Sequence, residues 1–224
     1  MKHTIVSALL FISFLGAKAQ DQKLSFGLKI GANLQTFNGK DDEGRTLDFS
    51  LVPRYNVGFN LDIPVATDFY FQTGLLFTTK GAKSTTTILG VKRTDDFNLS
   101  YIELPMNLLY KPVLGNGRIM LGFGPYLAYG IGGKRKTNID GTSSERKIEF
   151  TNSYNDVNPN EQYAFKPIDF GANLFFGYEF QNGINIHMNT QLGLAKINAS
   201  NKSFTADRRD YKNTGFGLSL GYKF

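Results

Sequence analysis

The residues Gly215-Phe216-Gly217-Leu218-Ser219-Leu220-Gly221-Tyr222-Lys223-Phe224 decide the fold. Phe216, Leu218, Leu220, Tyr222 and Phe224 share one parity; Gly215, Gly217, Ser219, Gly221 and Lys223 share the other. This is a period-2 strand with a large apolar face and a face of small or polar side chains. In water an open apolar edge invites pairing with other chains. As the closing strand of a barrel in lipid it has no open edge. The stretch predicts an all-β chain, an eight-stranded antiparallel up-and-down transmembrane β-barrel.

Working outward, seven more segments alternate in the same way: 24–36, 54–63, 69–80, 97–111, 118–132, 168–180 and 184–195. The polar segments 38–50, 82–96, 133–165 and 196–212 read as long loops. The links 64–68, 112–117 and 181–183 are short, with turn signals at Asn116-Gly117 and Asn182-Gly183; Asp140-Gly141 marks a turn within the longest loop. Long and short connections alternate, as in an outer-membrane barrel with short periplasmic turns and longer external loops. Pro105 removes a ladder hydrogen bond and predicts a bulge in the fourth strand. The apolar faces carry almost no charge, and a Lys or Arg there would cost ~2–4 kcal/mol at mid-membrane. Lys29, Arg54, Asp62, Lys80, Glu103, Lys111, Asp169, Glu179 and Lys223 all have the opposite parity. Phe69, Phe71, Tyr110, Tyr178, Phe180, Tyr222 and Phe224 have outward parity beside the short turns, where an interfacial girdle belongs. A soluble barrel with a ligand pocket would reverse the faces; apolar faces this long, edged with aromatics, favour lipid outside.

Composition agrees. The 224 residues suit one domain, and 24 Gly with 20 Phe and 11 Tyr suit many strands with aromatic anchors. With no Cys, disulfides, thiolate metal sites and cysteine nucleophiles are excluded. Mean hydropathy is −0.24, too low for a bundle of membrane helices but normal for a barrel whose strands each have a polar side. The net charge of +6 is spread out, without the basic run and interleaved aromatics of a nucleic-acid binder. Residues 1–19 read as a cleaved signal peptide: Lys2 and His3, an apolar run from Thr4 to Leu15, then the cleavage site Ala17-Lys18-Ala19. The run is too short to span ~30 Å of hydrocarbon. The expected organisation is a leader, 1–19, and one barrel domain, 20–224.

Tyr101-Ile102-Glu103-Leu104-Pro105, Gly124-Pro125-Tyr126, Asp169-Phe170-Gly171 and Gly177-Tyr178-Glu179, in that order, resemble the PorT-like outer-membrane β-barrel family, abundant in Bacteroidetes. The resemblance spans 24–224. It implies an eight-stranded barrel in the outer membrane of a Gram-negative envelope, among lipid and lipopolysaccharide. It implies no particular activity; one member serves a protein-secretion apparatus, a role not carried over here. It also implies that Phe216, Leu218, Leu220, Tyr222 and Phe224 form the terminal signal by which barrel-assembly machinery recognises its substrates.

Little in the chain suggests catalysis. His187 is the one histidine after the leader, and its inward neighbours along the strand, Asn185 and Asn189, include no serine to activate. One histidine cannot make a zinc site of the usual ligand count. Glu103 and Glu179 could pair for acid–base work, but they could equally neutralise inward cations. An eight-stranded lumen is just wide enough to be filled by side chains, and charges there must be paired. The expected lumen charge network is Lys29, Arg54, Glu103, Lys111, Asp169, Glu179 and Lys223, with no catalytic, cofactor or metal site. The expected function is structural or interactive, through the external loops and chiefly 133–165, with an envelope protein as possible partner. A small porin is the alternative, and a lipid-modifying enzyme the third reading.

Overall fold

The computed structural model describes residues 23–41, 43–153, 163–200 and 208–224. The expected leader and its cleavage site at Ala17 and Ala19 lie outside the described residues. The strands are β1 (Ser25–Lys40), β2 (Val52–Ala66), β3 (Phe69–Ile88), β4 (Val91–Tyr110), β5 (Val113–Leu114), β6 (Gly117–Ile139), β7 (Thr142–Phe150), β8 (Ala164–Phe165), β9 (Ile168–Phe180), β10 (Ile184–Gly193) and β11 (Asp210–Lys223). Eight of them close an antiparallel ring in the order β4-β3-β2-β1-β11-β10-β9-β6, with β6 returning to β4. Each strand of the wall then pairs on both sides, which a bilayer demands of a spanning sheet.

The closing strand shows how the alternation is used. Leu218 and Leu220 are 55% and 50% exposed, whereas Ser219 between them is 1% exposed. β11 pairs with β10 on one side and β1 on the other, with Leu220 opposite both Ile186 and Ile30. The same pattern runs round the ring, with an apolar surface outside and a polar lumen inside. At the short-turn end, Phe69 stacks on Tyr110 at 4.6 Å, and the Tyr178–Phe180 and Tyr222–Phe224 pairs meet edge-on at 5.0 Å.

Three sequence expectations need correction. Segment 82–96 is not a loop. β3 and β4 continue as a hairpin to a two-residue turn at Leu89 and Gly90, both with positive φ (50° and 82°). That matches the turn whose twist suits paired strands. Lys83-Ser84-Thr85-Thr86-Thr87-Ile88 is polar, but its threonines favour strand. Likewise β6 continues through 133–139 and pairs with β7 across the turn at Asp140-Gly141. Together β3, β4, β6 and β7 form a four-stranded sheet projecting beyond the barrel. The third correction concerns the bulge. Pro105 interrupts the β3–β4 ladder without shifting its register, and Thr73 Oγ1 donates to the Pro105 carbonyl at 2.8 Å. The shift falls higher, where Ser100 and Tyr101 face Gly132 and Gly130 and Ile131 is the extra residue. Past it, β6 changes parity: Arg135 turns inward, and Lys134 and Lys136 turn out.

Candidate functional site

The lumen is the only enclosed space a barrel offers for chemistry, and side chains fill it in layers. At the short-turn end, Lys111 Nζ donates to Asp62 Oδ2 at 3.3 Å and to Glu179 Oε2. Lys223 Nζ reaches Glu179 Oε1 at 3.4 Å, and Gln72 Nε2 donates to Asp62 at 2.9 Å. Further up, Lys80 Nζ lies 2.9 Å from Glu103 Oε2 and 3.0 Å from Asp169 Oδ2. The Lys80 ammonium also sits 4.0 Å from the Tyr126 ring centre. Asn213 Nδ2 donates to Asp169 at 2.9 Å, and Gln191 Nε2 to both Glu103 oxygens at 3.0 Å. Lys80, Lys111 and Asp169 are fully buried; buried charges persist only when paired and hydrogen-bonded in this way.

Between the two clusters lies a cavity of about 50 Å³ lined by carboxamides, with Lys29, His187 and Glu103 among them. It has room for about four water molecules. Asn33 Oδ1, Gln35 Oε1, Asn56 Oδ1, Asn107 Oδ1 and His187 Nδ1 have no protein partner, so water is the natural occupant. No carboxylate among the described residues lies within 4.0 Å of Lys29. The charges nonetheless balance. The upper cluster has one cation and two anions, the lower two and two. Lys29 cancels the remaining negative charge, with Glu103 on the same cavity.

Above the upper cluster the lumen is closed by apolar packing. Phe37, Phe97, Tyr101, Tyr126, Phe165 and Ile197 form one buried cluster, against which Phe49, Tyr163 and Tyr211 pack. The Arg135 guanidinium lies 3.6 Å from the Tyr163 ring centre and donates to Asp95 at 2.8 Å and 3.1 Å. Burial would raise the Asp95 carboxyl, but the hydrogen bonds from Arg135 and Thr137 outweigh it and hold it below the ordinary carboxylate range.

Of the seven network candidates, Glu103 and Asp169 share the upper cluster, and Lys111, Glu179 and Lys223 the lower. Lys29 faces the cavity. Arg54 joins neither: it donates to Asp96 at 2.5 Å and to the Phe97 carbonyl at 2.8 Å near the hairpin end. Lys80 and Asp62, outside the seven, anchor one cluster each; both have inward parity, the one signal that marked them. Along its own strand His187 has Asn185 and Asn189 as inward neighbours, but Ser219 lies directly across from it on β11, a neighbour that only the register reveals. Ser219 Oγ, however, bonds Asn189 at 3.5 Å, and the His187 ring packs on Phe175 at 5.3 Å. No hydrogen bond joins His187 to Ser219 among the described residues, and His187 Nδ1 has no partner there. Among the described residues no three metal-ligating side chains come together.

The family described as outer membrane protein beta-barrel domain matches residues 7–224. The chain belongs to that family. This outer-membrane barrel is also similar to solved structures at low identity. Ail of Yersinia pestis, solved with the heparin analogue sucrose octasulfate, is 14% identical over 91% of this chain and 100% of its own, with a TM-score of 0.40. Neisserial surface protein A is 12% identical over 91% and 100%, at 0.44. OprG of Pseudomonas aeruginosa is 12% identical over 94% and 98%, at 0.45. No curated protein matches the barrel's sequence.

Proposed function

We propose that this outer-membrane barrel is a non-enzymatic, non-conducting docking protein that pairs an extended strand of an envelope or surface protein onto the free edge of β7. The observation that carries it is that edge. β7 pairs with β6 through Thr142–Ile148 and with β8 only at Glu149 and Phe150. Among the described residues no strand covers its other side over Thr142–Lys147. A row of unpaired backbone groups is a template for strand addition. The layered lumen supports the non-conducting half, since fully buried ion pairs and an apolar plug occupy its cross-section. A photo-crosslinker at Ser144 should trap a surface partner that one in the turn at 112–117 does not, and Lys147→Pro, which removes an edge-facing N–H and leaves the β6 ladder intact, should abolish the adduct. Equal adducts at both positions, or none at Ser144, would refute the docking edge.

The PorT-like assignment within the family rests on the four motifs. Two further readings complete the proposal. Residues 1–19 are a leader cleaved after Ala17-Lys18-Ala19. Phe216, Leu218, Leu220, Tyr222 and Phe224, all exposed on the outer face, are the signal for the assembly machinery; deleting Phe224 should lower the assembled yield more than shortening 133–165 does.

A further inference from the structure

The projecting sheet has two faces with different charge chemistry. On its inner face Arg93 and Arg135 are both paired with Asp95. On its outer face lies a cleft of about 470 Å³ with Lys83, Lys92 and Lys136 on its walls. All three lysines are exposed, and none has a carboxylate within 4.0 Å among the described residues. Of the acids nearby, Asp96, between Lys83 and Lys136 in the ladder, holds Arg54. Asp140 accepts only the Lys92 backbone N–H, at 3.0 Å, so three lysines stand against one carboxylate without a cation of its own. The cleft therefore has cationic capacity to spare.

Its position says what would use that capacity. The face is continuous with the lipid-facing wall, because β3 and β4 keep their register and the bulge at Ile131 brings β6 into step. Phe77, Ile102 and Tyr129 form the last apolar row. Lys83, Asp96 and Lys136 lie six residues further on, 77 to 83 on β3. At ~3.3 Å per residue and a strand tilt of about 40°, that is about 15 Å above the apolar row. The polar zone of a phospholipid leaflet is only about 5–8 Å deep. A phosphate at the height of these lysines must be carried on a taller headgroup.

We propose that Lys83, Lys92 and Lys136 bind the phosphate groups of a phosphorylated saccharide headgroup, that of a lipopolysaccharide packed against the barrel wall. Ammonium groups on flexible stems suit phosphates presented at varied angles. The site is independent of the β7 edge, which can fail as a docking strand without affecting it.

The test uses the full chain, purified in detergent and mixed with lipopolysaccharide, with retained lipid read by native mass spectrometry. Lys83→Gln with Lys92→Gln and Lys136→Gln should cut retention on the order of a hundredfold. A charge-matched variant, Lys40→Gln with Lys166→Gln and Lys196→Gln, should retain lipid like wild type. Enzymatically dephosphorylated lipopolysaccharide should bind the wild type as weakly as intact lipid binds the first variant. The single variant Lys136→Gln, with an intermediate loss, guards against misfolding of the triple one. Equal losses in the two triple variants would reduce the effect to net charge and overturn the site. So would unchanged retention in the first variant. Full displacement by millimolar inorganic pyrophosphate would assign the cleft to a soluble anion instead of a lipid.

Discussion

Lys80 is the residue on which the upper lumen depends. Lys80→Met leaves Glu103 and Asp169 buried without their cation, and breaking such a pair costs about 3–5 kcal/mol. Urea unfolding in lipid vesicles should show that loss, and adding Glu103→Gln with Asp169→Asn should restore much of it, since removing the whole set leaves no lone charge. Asp95 gives a pH signature at the hairpin end. Its folded pKa lies below the unfolded value, so its contribution is present above the unfolded pKa of ~3.9 and is lost as pH falls through the folded one. Amide protection factors at Arg135 and Thr137, corrected for the intrinsic exchange rate, should therefore fall below about pH 4, and in Asp95→Asn they should already be low at neutral pH. At this scale the sequence tells which side chains face inward, by parity alone. It does not tell which of them meet. His187 and Ser219 are 32 positions apart by number and become neighbours only through the β10–β11 register. The Lys80–Asp169 contact joins residues 89 apart.

At the level of strands, alternation placed all eight walls, and the turn signal at Asn182-Gly183 fits the β9–β10 link, where Gly183 has φ 85°. The projecting sheet was hidden because its strands are polar on both faces, and polarity in sequence looks like loop. Their threonines and the Asp140-Gly141 pair were the readable signs. The bulge was misplaced because proline advertises a missing donor, whereas Gly130-Ile131-Gly132-Gly133 advertises only flexibility. Phe175 departs from the polar inner face: its parity points it into the lumen, and Gly122 opposite leaves room for its ring, since a Cβ there would lie 2.1 Å from it. The cysteine-free chain makes the bulge simple to check. A single cysteine at Lys136 should react with a membrane-impermeant maleimide on intact cells, and one at Arg135 should not. The opposite pattern would mean that β6 keeps its parity past Ile131.

For the whole molecule, the stacked seals predict silence in a planar bilayer. Phe97→Ala with Phe165→Ala should still give no steady conductance, because both charge clusters lie beneath the plug; discrete channels in that variant would return the porin reading. The outer wall makes an equally sharp demand. Leu220→Arg places a charge on the lipid face at ~2–4 kcal/mol and should cut the heat-modifiable, folded fraction on gels. Ser219→Ala, inside the lumen, should assemble normally. The layered lumen also bears on the order of events during insertion. Lys80 comes from β3, Glu103 from β4 and Asp169 from β9, while Lys111 follows β4, Asp62 belongs to β2 and Glu179 to β9. β2 to β4, with Lys111, can pair their own four charges, Asp62 with Lys111 and Lys80 with Glu103, whereas β9 to β11 set Asp169 and Glu179 against Lys223 alone. The C-terminal strands inserted alone would leave a bare carboxylate beside hydrocarbon, so they should settle last, as the ring closes and Asp169 meets Lys80.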